Sequence, residues 1–458
     1  KSKSRRDEIC IVSVNNEKII LMKKKPAVPS TKSVKSNLVV ENVFKQTFHA
    51  AVQNATQRAL PAGECQTAER TWCTLCYASK IEYAQEYKFK NAALQKFWHS
   101  LGAAIALQPL VASPHTRYYR TVSKRKAFLN GNIFSLGLIG VDLSSARNFP
   151  IAVQTCAIEP ELHSTVYAAV HSFLDEREHR ELAHDFNYVI VRGDSPRRTE
   201  CTVIFNIKEL TSENRREVNM LSKHLTKKVP VVSGVFVAVD SHRSHYYLQS
   251  ASRKKEQGNK IVFQKIFGEQ TMFHSVGNKK FGYSPLSFSQ TNHSILEKFI
   301  STLSELLALQ PDDTVCDLYC GYGLFALSFA SHVRQVLGIE LSQDSIRDAI
   351  ENTRRLQQRN CKFIANTITD ETLLAMFHTF KPTKLLLDPP RTGTQPGVIE
   401  FLAATQPKRI VHIFCNIDIL HKELDRWKKN GYELTDAVPF DMFPGTDEVE
   451  IMVGLERK

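Results

Sequence analysis

The sequence predicts an α/β protein whose C-terminal part, residues 276–458, forms a doubly wound parallel sheet closed by a terminal antiparallel pair. Three observations predict it. Short apolar runs (TVCDLY, QVLGIEL, CKFIAN, KLLLDPP and RIVHIFC) alternate with amphipathic stretches such as DSIRDAIENTRRLQQR and LHKELDRWKK, the rhythm of parallel strands joined by helices. The runs end in residues that stop a strand: glycines after Asp317, and two prolines after Asp388. The last two runs, GYELTDAVPFDMFP and EVEIMVGLER, follow one another with no helical stretch between them, so they pair antiparallel.

Composition bounds the rest. The chain has 458 residues, enough for two or three domains, and 42% hydrophobic residues supply ordinary cores. A net charge of +13 favours a polyanionic partner, with a membrane surface as the competing reading. No apolar run approaches the ~20 residues of a membrane-spanning helix. No secretory signal pattern opens the chain, so the expected location is cytoplasmic. Ten cysteines in such a chain point to metal, cluster or catalytic roles, or to plain burial, rather than to a disulfide framework.

Three segments follow in order. Residues 1–60 read as a basic, irregular N-terminal segment, opening on KSKSRR and containing the linker-like PAVPSTKSVKSN. Residues 61–275 read as an α+β central domain. It begins with Cys65, Cys73 and Cys76, then an amphipathic helix in IEYAQEYKFKNAALQKFWHSL, with Tyr83, Tyr87, Ala92, Leu94, Phe97 and Leu101 near one face and Lys80, Lys88, Lys90 and Lys96 on the other. RYYRTVSKRKAF interleaves basic and aromatic residues in a strand-like run suited to phosphate contact and base stacking. IFSLGLIGVDL, YVIVRG, CTVIFNI, GVFVAVD and HYYLQSA read as strands, LHSTVYAAVHSFL and NRREVNMLSKHL as helices. Residues 276–458 are the doubly wound part.

The chemistry concentrates at the strand ends. Gly321 and Gly323 after Asp317 let a ligand approach backbone closely. Glu340 ends the next strand, placed to accept hydrogen bonds from both hydroxyls of a ribose. The third glycine of a pyrophosphate site and a P-loop lysine are both missing, so a nucleoside without phosphates, such as S-adenosylmethionine, fits better than a dinucleotide. Asn366, at the end of the following strand, is placed for an adenine edge. Asp388 stands on a stiff loop at the carboxyl end of its strand, where open sheets bind ligands. Cys415 ends the next strand, and Glu450 opens the last one. Thiolate, carboxylate and methyl donor suit one reaction. Thiolate addition at carbon 6 of a pyrimidine makes carbon 5 nucleophilic towards a sulfonium methyl, and a base then removes the carbon-5 proton.

These motifs resemble the RNA uracil-5 methyltransferase family, which carries SFxQxN, DLYCGxGxF, a DPPR loop, a strand ending SCN and a C-terminal HVE or related glutamate. Here they stand as SFSQTN, DLYCGYGLF, DPPR with Asp388 and Arg391, FCN with Cys415, and EVE with Glu450. The resemblance implies a Rossmann-like domain in which Gln290, Tyr319, Glu340, Asn366 and Asp388 bind S-adenosylmethionine, Cys415 is the nucleophile and Glu450 the base. It extends to the subgroup that methylates large-subunit ribosomal RNA and holds a [4Fe–4S] cluster on four cysteines. It implies Cys65, Cys73, Cys76 and Cys156 as ligands, with zinc as the alternative occupant. Gln85 and Lys90 match that subgroup's spaced helix residues. Phe414, Ile417, Thr74 and Leu75 depart from the family pattern. The resemblance implies RNA as partner, ribosomal rather than transfer RNA, and the chain is expected to act as a monomer without a protein partner. The alternatives are an RNA-binding ribosome-assembly protein with little turnover and a methyltransferase acting on cytosine.

Overall fold

Among the described residues, two seven-stranded sheets and a small hairpin organise the fold. The structure, a computed structural model, describes residues 43–56, 76–78, 80–142, 147–193, 200–241 and 262–458. Two helices come first, α1 (Val43–Thr56) and α2 (Tyr83–Ser100). The central sheet follows: β1 (Val122–Asn130), β2 (Ile133–Asp142), β3 (Arg147–Ala152), β4 (Phe186–Gly193), β5 (Cys201–Ile207), β6 (Val232–Val239) and β7 (Val262–Gly268), in the order β3-β2-β1-β4-β5-β6-β7. Only β5 and β6 pair in parallel; the other neighbours are antiparallel. Helices α3 (Glu161–Leu174) and α5 (Ser212–Lys228), with the short α4 (Arg180–Asp185) between them in sequence, share a core with β4, β5 and β6 built from residues such as Val170, Phe205, Leu221 and Val235.

A hairpin, β8 (Met272–Val276) and β9 (Lys279–Tyr283), leads to α6 (Leu296–Leu307) and the C-terminal sheet. Its parallel strands are β10 (Thr314–Leu318), β11 (Gln335–Glu340), β12 (Cys361–Ala365), β13 (Lys384–Leu387) and β14 (Arg409–Phe414). Between them lie α7 (Leu324–Phe329), α8 (Gln343–Arg355), α9 (Asp370–Phe377) and α10 (Val398–Ala404), and α11 (Leu420–Lys429) follows β14. Two antiparallel strands close the sheet, β15 (Tyr432–Phe440) and β16 (Glu450–Arg457). The order β12-β11-β10-β13-β14-β16-β15 reverses direction between β10 and β13, which is the switch point of a doubly wound sheet. Every residue of β10 and β13 is buried, as expected of strands covered by helices on both faces. The Rossmann-like α/β architecture is therefore the observed one.

Four expectations change. Residues 43–56, read as irregular, form α1, which buries Phe44, Phe48 and Val52 in the same core as β10, β13 and β14. The hairpin β8–β9 and strand β7 were not expected. The basic face of α2 is not wholly solvated: Lys90 and Glu86 are buried, because Lys90 finds Glu86 one turn away and Asp441 on the loop before β16. In RYYRTVSKRKAF, Arg125 is buried in a two-pronged pair with Glu159, both bonds 2.6 Å, and is unavailable to phosphate. HYYLQSA lies outside the described residues. Among the described residues, no helix is long and apolar enough to cross a membrane.

One glycine decides the packing under the site. A Cβ at Gly338 in β11 would lie 2.4 and 2.5 Å from ring atoms of Phe363 and 2.9 Å from Cys320 Sγ. Phe363 in turn lies against Gly323. Gly338→Val is expected to destabilise the fold by about 1–3 kcal/mol through overpacking. A urea midpoint equal to that of the wild type would show that the ring has room to retreat.

Candidate active site

The carboxyl ends of β10, β11, β13 and β14 open on one edge of the sheet. β16 runs antiparallel to β14, with Phe414 opposite Ile451, so its first residue, Glu450, arrives at that same edge. The turn after β10 is tied back: the Tyr319 and Cys320 amides donate to the Ile339 carbonyl at 2.8 and 3.1 Å. Tyr319, Gly321 and Gly323 all have positive φ (68°, 54° and 82°), so this loop is a left-handed turn carrying its strain at a tyrosine. Asp317 accepts from the Ala326 amide at 3.1 Å and fixes the start of α7. Pro389 and Pro390 stiffen the loop after β13, and the Asp388 amide donates to the Leu318 carbonyl at 3.3 Å.

The result is a cavity of about 590 Å³ lined by Gln290, Tyr319, Glu340, Asp388, Cys415 and Glu450, together with Gly321, Arg391 and others. Six residues expected at the site, from six separate stretches of sequence, therefore meet around one space. Asn366 does not join them. Its amide oxygen turns back to accept from the Thr367 amide at 2.8 Å, a local turn typical of asparagine, and Thr367, Ile368 and Thr369 line the cavity instead. Of the four cysteines expected as ligands, Cys65 and Cys73 lie outside the described residues. Cys76 packs with Ala78 and with Ala157, the residue after Cys156, in a small buried cluster.

The electrostatics of the cavity are those of crowded acids. Burial pushes Asp388 up to about 7, with Glu340 adding to the shift. Burial and then Asp388 push Glu450 up to about 8, against the opposing pull of Arg391. The Cys415 thiol rises to about 12 through burial, then Asp388 and Glu450, again opposed by Arg391. Each group resists ionisation because its neighbours are also acids in a partly dry site. A cation entering the cavity would favour all three ionised forms at once.

Glu340 is held for ligand contact by the Ser342 amide, which donates to its Oε1 at 2.8 Å. Behind the Cys415 strand, Trp427 Nε1 donates to His412 Nδ1 at 3.2 Å and Glu423 accepts from both the amide and the hydroxyl of Thr394 at 2.8 Å. These buried groups brace β14 and the DPPR loop against each other. Phe288, 67% exposed at the cavity rim, carries no signal of its own in the sequence. Its place two residues before Gln290 in SFSQTN is the feature that would have found it. Arg391 ion-pairs with Glu448 beside the cavity.

Comparison with known proteins agrees with this geometry. Residues 240–458 match a family model described as tRNA (Uracil-5-)-methyltransferase. An uncharacterized RNA methyltransferase of Geobacter sulfurreducens is 27% identical over 91% of this chain and 82% of its own length. One of Clostridium tetani is 35% identical over 42% of each chain, so with that relative the chain shares less than half its length. The fold is similar to that of the Pyrococcus abyssi tRNA (uracil-54, C5)-methyltransferase in complex with S-adenosyl-L-homocysteine, with a TM-score of 0.62, 19% identity and coverage of 82% of this chain and 84% of that one. Strand-end acids, a thiol and a shared cavity stand within residues 240–458, the part of the chain that is similar to the tRNA (Uracil-5-)-methyltransferase family.

Proposed function

We propose that the protein methylates carbon 5 of a uridine in RNA, with Cys415 as nucleophile and Glu450 as general base. The observation that carries this reading is that Cys415 and Glu450 open into the cavity that also holds Glu340, the acid placed for a ribose. S-adenosylmethionine, when bound, supplies an electrophilic methyl group on a sulfonium cation, the charge that the crowded acids favour. Glu340 would accept from the ribose hydroxyls, and Thr367 and Ile368, which also line the cavity, would border the adenine. Cys415, as the thiolate that the entering cation favours and with its proton given up to solvent, adds through Sγ to carbon 6 of the uracil, and the electron pair moves to carbon 5 and the carbon-4 oxygen. Carbon 5 takes the methyl group as the bond from that methyl to the sulfonium sulfur breaks, which leaves S-adenosylhomocysteine; ionised Glu450 then takes the proton from carbon 5 as the bond from Sγ to carbon 6 breaks, restoring the ring and the Cys415 thiolate. The target base has to leave its stack to reach Cys415, which favours a uridine in a loop.

The net charge of +13 supports RNA as the partner. The cysteine set favours ribosomal RNA, and the description of the matching family model favours transfer RNA. For the cluster, the fit rests on the soft donors Cys76, which is buried, and Cys156, whose thiol is pushed up by burial, then Glu159, with Cys76 adding a smaller effect. With Cys65 and Cys73 they would hold a [4Fe–4S] cluster in a structural role.

Three outcomes test these readings. RNA labelled with tritium at uridine carbon 5 should release tritium in the presence of S-adenosylmethionine, and Cys415→Ala should abolish the release while RNA binding persists. Release that survives in Cys415→Ala would sink the covalent route, and fractionating the RNA decides between ribosomal and transfer substrates. A pH series examines the crowded acids. Folding raises Glu450 from 4.5 to about 8, so its contribution to stability is full below about pH 4.5 and is lost as pH rises through 8. Glu450→Gln, always neutral, should therefore gain Tm over the wild type between about pH 5 and about pH 9. A Tm difference independent of pH would refute that burial. Anaerobically purified protein should contain iron and acid-labile sulfide that Cys156→Ser loses; zinc in their place would favour the alternative occupant, and neither would remove the site.

A further inference from the structure

The loop between β15 and β16, residues 441–449, delivers Glu450 to the cavity. Two helices from the other end of the chain hold it. On α2, the Lys90 ammonium is fully buried, 2.8 Å from Asp441 Oδ1, 2.7 Å from Glu86 Oε1 and 3.2 Å from the Phe443 carbonyl. The same Glu86 oxygen accepts from the Gly445 amide at 2.6 Å, and the Tyr77 amide, just before α2, donates to the Gly445 carbonyl at 2.5 Å. On α1, Lys45 Nζ lies 2.9 Å from Glu448 Oε1, and His49 Nε2 lies 2.9 Å from Asp447 Oδ2. Glu448 also pairs with Arg391, which borders the cavity.

A buried lysine with two carboxylates is a poor source of stability, because desolvation offsets its Coulombic gain, and an apolar set of similar volume would serve as well. What such a group does supply is direction. It fixes the Asp441 side chain, the Phe443 carbonyl and, through Glu86, the Gly445 amide at defined points. The ladder pairs Phe440 with Glu450, so the strands fix the backbone where the loop begins and ends. Of the nine residues between them, Val111 and Asn292 hold the Asp441 amide and the Met442 carbonyl, and α1, α2 and Tyr77 hold the Asp441 side chain, Phe443, Gly445, Asp447 and Glu448.

We propose that α1 and α2 position the general base: Lys90, through Asp441 and Glu86, and Lys45, through Glu448 and Arg391, hold the loop so that the Glu450 carboxylate meets the carbon-5 proton of the Cys415 adduct. The proposal rests on the carbon-5 chemistry argued above. Only the last step, proton removal with loss of the cysteine, uses Glu450. Displacing the loop therefore leaves addition and methyl transfer intact and stalls release.

The experiment incubates the full-length protein with unmodified ribosomal and transfer RNA transcripts and methyl-labelled S-adenosylmethionine, then measures labelled RNA–protein adduct on a denaturing gel beside tritium release. Glu450→Gln serves as the reference. Lys90→Met and the partly exposed Lys45→Glu are both expected to accumulate methylated adduct, with release slowed about 10- to 100-fold and S-adenosylmethionine affinity within about twofold. Lys45→Arg is expected to restore wild-type release. Should Lys90→Met fail to fold, Lys45→Glu decides alone. Adduct at the wild-type level in Lys45→Glu, or release and adduct falling together, would overturn the positioning role while leaving the chemistry standing. Absence of adduct in Glu450→Gln would instead overturn the chemistry on which both rest.

Discussion

Crowding acids at one edge of a sheet is the constraint from which the site follows. Asp388, Glu450 and the Cys415 thiol share a cavity with Glu340, and each is pushed up by burial and by its neighbours. Such a group of like charges would separate if the chain allowed it. It does not, because β10 and β13 are buried throughout and β14 nearly so, and because two prolines stiffen the loop behind Asp388. Arg391, the countercharge nearest to both Glu450 and Cys415, is exposed and engaged with Glu448, so it offsets the repulsion only in part. The cavity thus carries more acid than base, and a sulfonium ligand would bring positive charge to it.

The fully buried ion pairs lie away from the cavity lining, unlike the exposed pair of Arg391 with Glu448. Lys90 and Arg117 with Glu86 and Asp441, and Arg125 with Glu159, are each enclosed and matched in charge. The contrast separates two uses of buried charge. Pairs that are satisfied fix backbone, here the loop before β16 and the segment before α3. Acids left without a full partner keep their capacity to accept a ligand's charge or a proton.

What was legible in the sequence follows from how local each signal is. Strand ends at Asp317, Glu340, Asp388 and Cys415 were readable because apolar runs and their breakers are contiguous, and all four gather as the β-α alternation requires. α1 carried a usable signal, Phe44, Phe48 and Val52 at helical spacing, but it stood behind a long basic stretch whose composition masked it. The burial of Lys90 was half legible: Glu86 one turn before it is a local cue, whereas Asp441, 351 residues away, is supplied only by the fold. Asn366 shows the opposite failure. It ends its strand where an adenine contact belongs, yet its side chain closes on its own turn, a choice that strand periodicity does not report. The hairpin β8–β9 turns at Gly277, where φ is 57°, in a Gly-Asn pair typical of such turns.

The segment carrying Gln290 shows why the two sheets function as one body rather than as a substrate module beside a cofactor module. Arg192, in β4 of the central sheet, is buried and donates to the carbonyls of Pro285 and Ser287 and to the Ser289 hydroxyl. Thr121, just before β1, donates its hydroxyl to the Gln290 carbonyl at 3.1 Å and its amide to the Thr291 carbonyl at 2.8 Å. Leu286, Phe288 and Gln290 line the cavity from this strip of chain. From its other side, Asn292 Nδ2 reaches the Met442 carbonyl at 3.2 Å, on the loop that precedes Glu450. The strip is thus bonded at once to the central sheet and to the loop that leads to Glu450. A displacement of the central sheet would strip buried donors such as Arg192 of several acceptors together, a cost of one to a few kcal/mol for each bond lost. Contacts made on the central domain and the geometry around Gln290 are therefore parts of one hydrogen-bonded assembly, and the cavity keeps its shape only while both sheets hold it.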